Sequence, residues 1–141
     1  MRVMVIVKAT RDSEAGIPPS TELLTEMGRY NEELVRAGVM LAGEGLHPTS
    51  RGVRVRFGGG KSVVTDGPFT ETKELIAGFW LWQVKSMEEA VEWLRRSPFR
   101  QGSEELEIRR VFEAEDFGAN ATDEVLERDR KLRAQVSAAK K

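Results

Sequence analysis

The sequence predicts an α+β domain of ferredoxin-like, split βαβ pattern, with an antiparallel sheet and an inserted β-hairpin. Three observations predict it. The hydrophobic periodicities run β-α-β, then a hairpin, then β-α-β along the 141 residues. The first strand and the strand "LIAGFWLWQV" are apolar on both faces, as strands covered on two sides are. Between the two halves, "VRVRF" alternates cleanly and turns back through triple glycine.

Each element follows from local chemistry. Met1 to Ala9 contains Val3, Met4, Val5, Ile6 and Val7, a central strand. "DSEAGIPPS" reads as a loop, and its final Ser20 caps a helix in which Leu23, Leu24, Met27, Tyr30, Leu34 and Val35 recur at helical spacing. Gly38 stands where a left-handed residue ends a helix. "VMLAGEGL" is a second strand and "HPTSRG" a loop. Val53, Val55 and Phe57 face opposite to Arg54 and Arg56; Gly58-Gly59-Gly60-Lys61 turns the chain, and "SVVT" returns. The triple glycine is a hairpin turn rather than a phosphate cradle, because no helix follows it at the required spacing.

In the next strand Gly78, Trp80 and Trp82 point one way and Ala77, Phe79 and Leu81 the other. Ser86 and Glu89 form a capping box for a helix with Met87, Ala90, Val91 and Leu94 on its apolar stripe, closed by Pro98. "ELEIRRVFE" is the last strand. Two helices cover only one face of such a sheet, and a bare apolar face is more than monomers usually tolerate. A homodimer packed face to face, a dimeric α/β barrel, is therefore expected, through the Trp80 and Trp82 side or the Phe79 side. Beyond Asp116 the chain is charged and helix-prone, with Val125, Leu126, Leu132 and Val136 as its only packing stripe. An isolated helix of that length is marginal in water. Its first half is expected to dock and its last residues to fray. The domain boundaries predicted are 1–118 for the ferredoxin-like domain and 119–141 for a charged helical arm.

Composition narrows the function classes. With 40% hydrophobic and 32% charged residues, the chain reads as soluble and globular. A net charge of -1, with Lys and Arg scattered, argues against nucleic-acid binding. No apolar run approaches the roughly 20 residues of a membrane span. Cysteine is absent, which removes disulfides, thiolate chemistry and Cys-based zinc sites, and the expected location is cytoplasmic. No nucleotide motif stands out, and His47 alone cannot form a metal site, though it could with Glu44, Asp66 or Glu74; no cofactor and no metal are expected.

The stretch "VTDGPFTETKEL" holds the candidate site residues. The residue before a proline is pushed toward extended ψ, so Asp66-Gly67 ahead of Pro68 cannot form an ordinary type I′ turn. The loop is expected to bend at Gly67 on glycine-only freedom and to hold Asp66 in a fixed orientation. Asp66 either caps backbone N–H groups, as Asx turns do, or acts as a base. His47 is the only histidine; it is either a surface-loop residue ahead of Pro48 or the acid/base partner of Asp66. "TETKE" adds Thr70, Thr72, Lys73 and Glu74 as donors and acceptors. Lys73 and Arg54 could anchor a small anionic ligand, or they are surface charges paired with nearby carboxylates. The tryptophans read as core and interface rather than as a stacking platform.

From the first strand to about Gly118 the chain resembles the DGPF-type branch of the YCII-related proteins, with "VTDGPFTETKE" as the most specific match. The resemblance implies a ferredoxin-like, dimeric α/β-barrel protein of bacterial type, in a largely uncharacterised family whose genes often lie near alternative sigma factors. The short branch of that family carries a proposed His–Asp dyad, and the corresponding places here are Tyr30 and Ser97. Two functions are therefore carried forward. One is a cofactor-independent small-molecule enzyme of lyase or isomerase type, with Asp66 and His47 as the acid/base pair and Lys73, Thr70, Glu74 and Arg54 around the ligand. The other is a non-catalytic ligand-binding or accessory module linked to sigma-factor regulation. An enzyme should bring His47 and Asp66 within a few Å.

Overall fold

The computed structural model describes residues 1–71 and 73–139. Thr72 of the TETKE set, and Lys140 and Lys141 of the arm, lie outside the described residues. Met1–Arg110 forms one compact unit and Val111–Lys141 a second.

The first unit is built on β1 (Arg2–Lys8), β2 (Met40–Gly45), β5 (Ile76–Gln83) and β6 (Leu106–Arg110), with β3 (Val53–Gly58) and β4 (Lys61–Asp66) as a separate two-stranded hairpin. The sheet order is β2-β5-β1-β6 and the pairings are antiparallel, which is the ferredoxin-like order. Its helices are the one-turn α1 (Arg11–Glu14), α2 (Thr21–Arg36) and α3 (Met87–Arg95). The expected plain loop after β1 thus contains a helical turn. Thr10 caps it, with Ser13 returning the bond in a capping box.

The long helices start as their sequences dictate. Ser20 Oγ accepts from Leu23 N and Ser86 Oγ from Glu89 N. The Glu89 carboxylate reaches Lys85 N, at 2.7 Å, rather than the cap residue itself. Gly38 ends α2 at φ +72, and Gly59 and Gly60 turn the hairpin at φ +57 and +75.

Register decides which face is core. Val3 stands opposite Trp82 and Val5 opposite Trp80, while Met4 faces Leu81 and Ile6 faces Phe79. Residues directly opposite share a face. On the first face Trp80 packs edge-on against Tyr30 of α2, ring centroids 5.8 Å apart, and against Phe99 at 6.1 Å. Trp82, Leu34, Val3, Val5 and Ala90 are fully buried in the same cluster. Of the two faces expected to meet a partner, the Trp80 and Trp82 side is therefore taken. The chain's own helices cover the two tryptophans, and they are core. Met4, Phe79 and Leu81 are left half-buried on the opposite face.

In the second unit, Phe112 stacks on Phe117 at 4.9 Å, and α4 (Asp123–Ala139) carries ion pairs such as Arg133 with Asp129 at 2.8 Å. The helix runs to Ala139, the last described residue, so the expectation of fraying at the final residues falls largely outside the described residues. Among the described residues no helix is long and apolar enough to cross a membrane.

Candidate functional site

A cavity of ≈ 770 Å³ opens where α2, the segment from Thr10 to Ser20 and the ends of β2 and β5 meet. Two close approaches shape it. Trp80 lies over Gly43, where a Cβ would come within 2.7 Å of its ring, so only glycine fits there. Asn31 of α2 holds that indole in place, its Oδ1 accepting from Trp80 Nε1 at 2.9 Å. Leu23, Leu24, Met27, Ile17, Trp80 and Phe99 make much of the wall apolar, and Asn31, Lys8, Glu44 and His47 add polar groups. Lys8 is itself paired with Glu107 at 3.3 Å.

His47 lines this cavity with its side chain exposed. Asp66 is not among the lining residues; it ends β4, exposed, opposite Val53. Among the described residues no hydrogen bond or ion pair joins the two. The Asx cap foreseen for Asp66 is likewise absent from the hydrogen bonds of the loop.

Thr49 makes the bonds instead. Its Oγ1 accepts from Phe69 N at 3.0 Å, and its N–H and hydroxyl both donate to the Glu14 carboxylate, the former at 3.1 Å. Gly67 N donates to Gly52 O at 2.9 Å. The Gly67–Pro68 peptide is cis, and Gly67 does not take a positive φ. What demands glycine is space, because a Cβ there would stand 1.7 Å from Thr49 O. This corrects the expected reliance on glycine-only dihedrals.

The remaining candidates belong to the outer side of the loop. Arg54 lies over the Phe69 ring, 3.8 Å from its centroid, and pairs with Glu71 at 3.5 Å. Thr70, Lys73 and Glu74 are exposed, and Glu74 N donates to Glu71 O at 2.8 Å. None of these residues lines the cavity.

Tyr30 and Ser97 are core residues. Tyr30 Oη donates to Trp93 O at 2.6 Å, and burial is the main reason its phenol is pushed well above its usual pKa; Arg96 opposes the shift and Glu33 adds to it. Ser97 is 1% exposed. Sequence reasoning missed Glu14, Asn31 and Thr49. The only signal for Thr49 was its place two residues after the single histidine. Glu14 and Asn31 sit in ordinary polar contexts that carry none.

A four-stranded antiparallel sheet under two helices, an inserted hairpin and a mostly apolar cavity at one end define a ferredoxin-like α+β protein with room for a small molecule. The chain belongs to the YCII-related family: the model of the YCII-related domain matches residues 1–115. It is 33% identical over 73 residues to Uncharacterized protein R00369 of Rhizobium meliloti (strain 1021), a match spanning 52% of this chain and 59% of that protein. The chain thus spans little more than half the length of that curated relative. Its structure is similar, at a TM-score of 0.47 and 16% identity, to 5-chloro-2-hydroxyhydroquinone dehydrochlorinase (TftG) from Burkholderia phenoliruptrix AC1100 in complex with 2,5-dihydroxybenzoquinone, over 79% of this chain and 94% of that one.

Proposed function

We propose that Met1–Arg110 binds a small, mostly apolar molecule in the ≈ 770 Å³ cavity, and that His47 moves a proton on it in a lyase- or isomerase-type reaction. The observation that carries this reading is the presence of the chain's single histidine on the wall of a cavity that Leu23, Met27, Trp80 and Phe99 also line. An imidazole titrates near neutrality and serves as base and then acid within one turnover. Removing a proton next to a carbonyl needs no cofactor: the imidazole takes the proton and the C–H electron pair moves onto the carbonyl oxygen. Asp66, outside the lining, has at most an indirect part, as the end of the strand that leads into the loop.

The anion expected from Lys73 and Arg54 finds less support than a neutral ligand. Arg54 is engaged by Phe69 and Glu71, and the cavity wall carries Asp12, Glu44 and Glu104 against Lys8 and His47. The test is the His47 imidazole signal during titration with phenol, and separately with benzoate. Phenol should shift it saturably and at lower concentration than benzoate. The reverse order would restore the anionic ligand, and no shift with either would remove the cavity as the site.

A second reading, a non-catalytic ligand-binding or accessory module, is favoured by one observation: among the described residues no hydrogen bond or ion pair joins the His47 ring to Asp66. The two part on His47→Gln. An enzyme keeps ligand affinity and loses turnover; a binding module never shows turnover.

Self-association through the Phe79 and Leu81 face is also proposed. Its support is that α2 and α3 pack on the Trp80 side, leaving half-buried apolar residues on the other. Sedimentation should give a dimer for the parent and a monomer for Leu81→Glu.

A further inference from the structure

We propose that Glu14 and Thr49 are positioning residues. They tie the TDGPF loop to the cavity wall that bears His47, so that the loop sets the imidazole from outside the cavity. The inference deepens the proposed function and rests on it for the role of His47.

The chain of bonds has one polarity. The Phe69 N–H donates to Thr49 Oγ1, and the Thr49 hydroxyl gives its single proton to the Glu14 carboxylate. Ending on an ionised acceptor strengthens the chain, and the carboxylate also takes the Thr49 N–H. Thr49 is therefore held at its nitrogen and at its side chain by α1, whose Asp12 and Ser13 line the cavity.

The carbonyl of the same residue accepts from Gly52 N at 2.9 Å and fills the space beside Gly67. Gly52 O in turn takes the Gly67 N–H. The segment from Thr49 to Gly52 is thus clamped between the helical turn on one side and the TDGPF loop on the other. Only Pro48, with its ring-locked φ of -59, separates this clamp from His47. A displacement of the loop is passed to the imidazole with little slack.

The arrangement gives Gly67 and Phe69 of the loop a task each. Gly67 leaves room for a carbonyl, and Phe69 supplies the N–H. Its ring is covered on the outside by Arg54. No role for the loop in touching ligand is needed.

The test compares Thr49→Val, which removes only the hydroxyl, with Thr49→Ser, which keeps it. Three signals are read in the full chain: Phe69 amide exchange, the His47 imidazole resonances, and phenol affinity. In Thr49→Val the Phe69 amide should exchange roughly tenfold faster, the size of one net hydrogen bond. The His47 resonances should move or broaden, and Thr49→Ser should restore both signals. Glu14→Ala, which leaves the hydroxyl without its acceptor but keeps Oγ1 for the Phe69 N–H, should move the His47 resonances as Thr49→Val does with a smaller rise in Phe69 exchange, and keeps the test open if that variant folds poorly. Unchanged His47 resonances in both disruptive variants, with phenol still bound by the parent, would overturn the positioning role and leave the ligand reading standing. If the exchange and His47 signals respond as expected but phenol binds none of the proteins, the clamp stands and the ligand reading fails.

Discussion

The Trp80 face of the sheet and the TDGPF loop are both tightly defined, by opposite means. On the Trp80 face, order comes from apolar area. Trp82 and Leu34 are fully buried, and the aromatic rings of Tyr30, Trp80 and Phe99 meet edge-on. Around the loop Asp66 and Pro68 are exposed and Glu14, Thr49 and Phe69 only half-buried, and order comes from a carboxylate, a hydroxyl and a missing Cβ. Burial supplies most of the stability, and directional bonds supply position.

The contrast can be broken at either end. Trp82→Ala should have the largest effect, about 3–5 kcal/mol, because it opens a cavity in a site with no solvent to fill it. Its urea midpoint should fall with the whole unit, and a loss near zero would mean that the indole is not core. Gly67→Ala should cost about 1–3 kcal/mol by overpacking against Thr49 O. Its signature should be local: fast Phe69 exchange ahead of any change at Leu34.

Tyr30→Phe should cost about 1 kcal/mol, the size of one net hydrogen bond, since the Trp93 carbonyl loses the phenol but keeps Arg96 N as a donor at 3.1 Å. Tyr30 also sets a pH dependence. Its folded pKa is raised, so below the unfolded value of about 10 both states are neutral and nothing is lost. Above that the unfolded chain ionises first, and stability falls with rising pH. The alkaline limb of the urea midpoint should therefore be shallower in Tyr30→Phe, and an identical limb would remove the group from the account. Arg54→Ala should be the smallest, about 0.5 kcal/mol, because the ion pair with Glu71 is half exposed. A loss several times larger would show that the outer cover of Phe69 is a structural support in its own right.

Much of the fold was legible because periodicity records which face is buried. The helical spacing through Leu34 and the serine caps at Ser20 and Ser86 each point to one element, and each was found there; the alternation from Val53 to Phe57 located its strand but not a buried face, since all six residues of β3 are exposed. The site was legible only as a stretch. Sequence singled out His47 and Asp66 by residue type, yet type carries no distance, and the two end in different surroundings. It also named the right glycine for the wrong reason. Gly67 is required by a carbonyl contributed from Thr49, and no local rule can see that contact.

The sequence by itself determined the order of strands and helices, the hairpin turn and the apolar character of both sheet faces, since these depend on neighbours within a few residues. Only the tertiary structure decided which face the helices cover, that Trp80 and Trp82 belong to the chain's own core, and that Glu14 reaches Thr49 while Thr49 reaches Phe69. Those pairings depend on contacts between residues far apart in the chain. There, packing volume and hydrogen-bond geometry choose among partners that the sequence leaves equivalent.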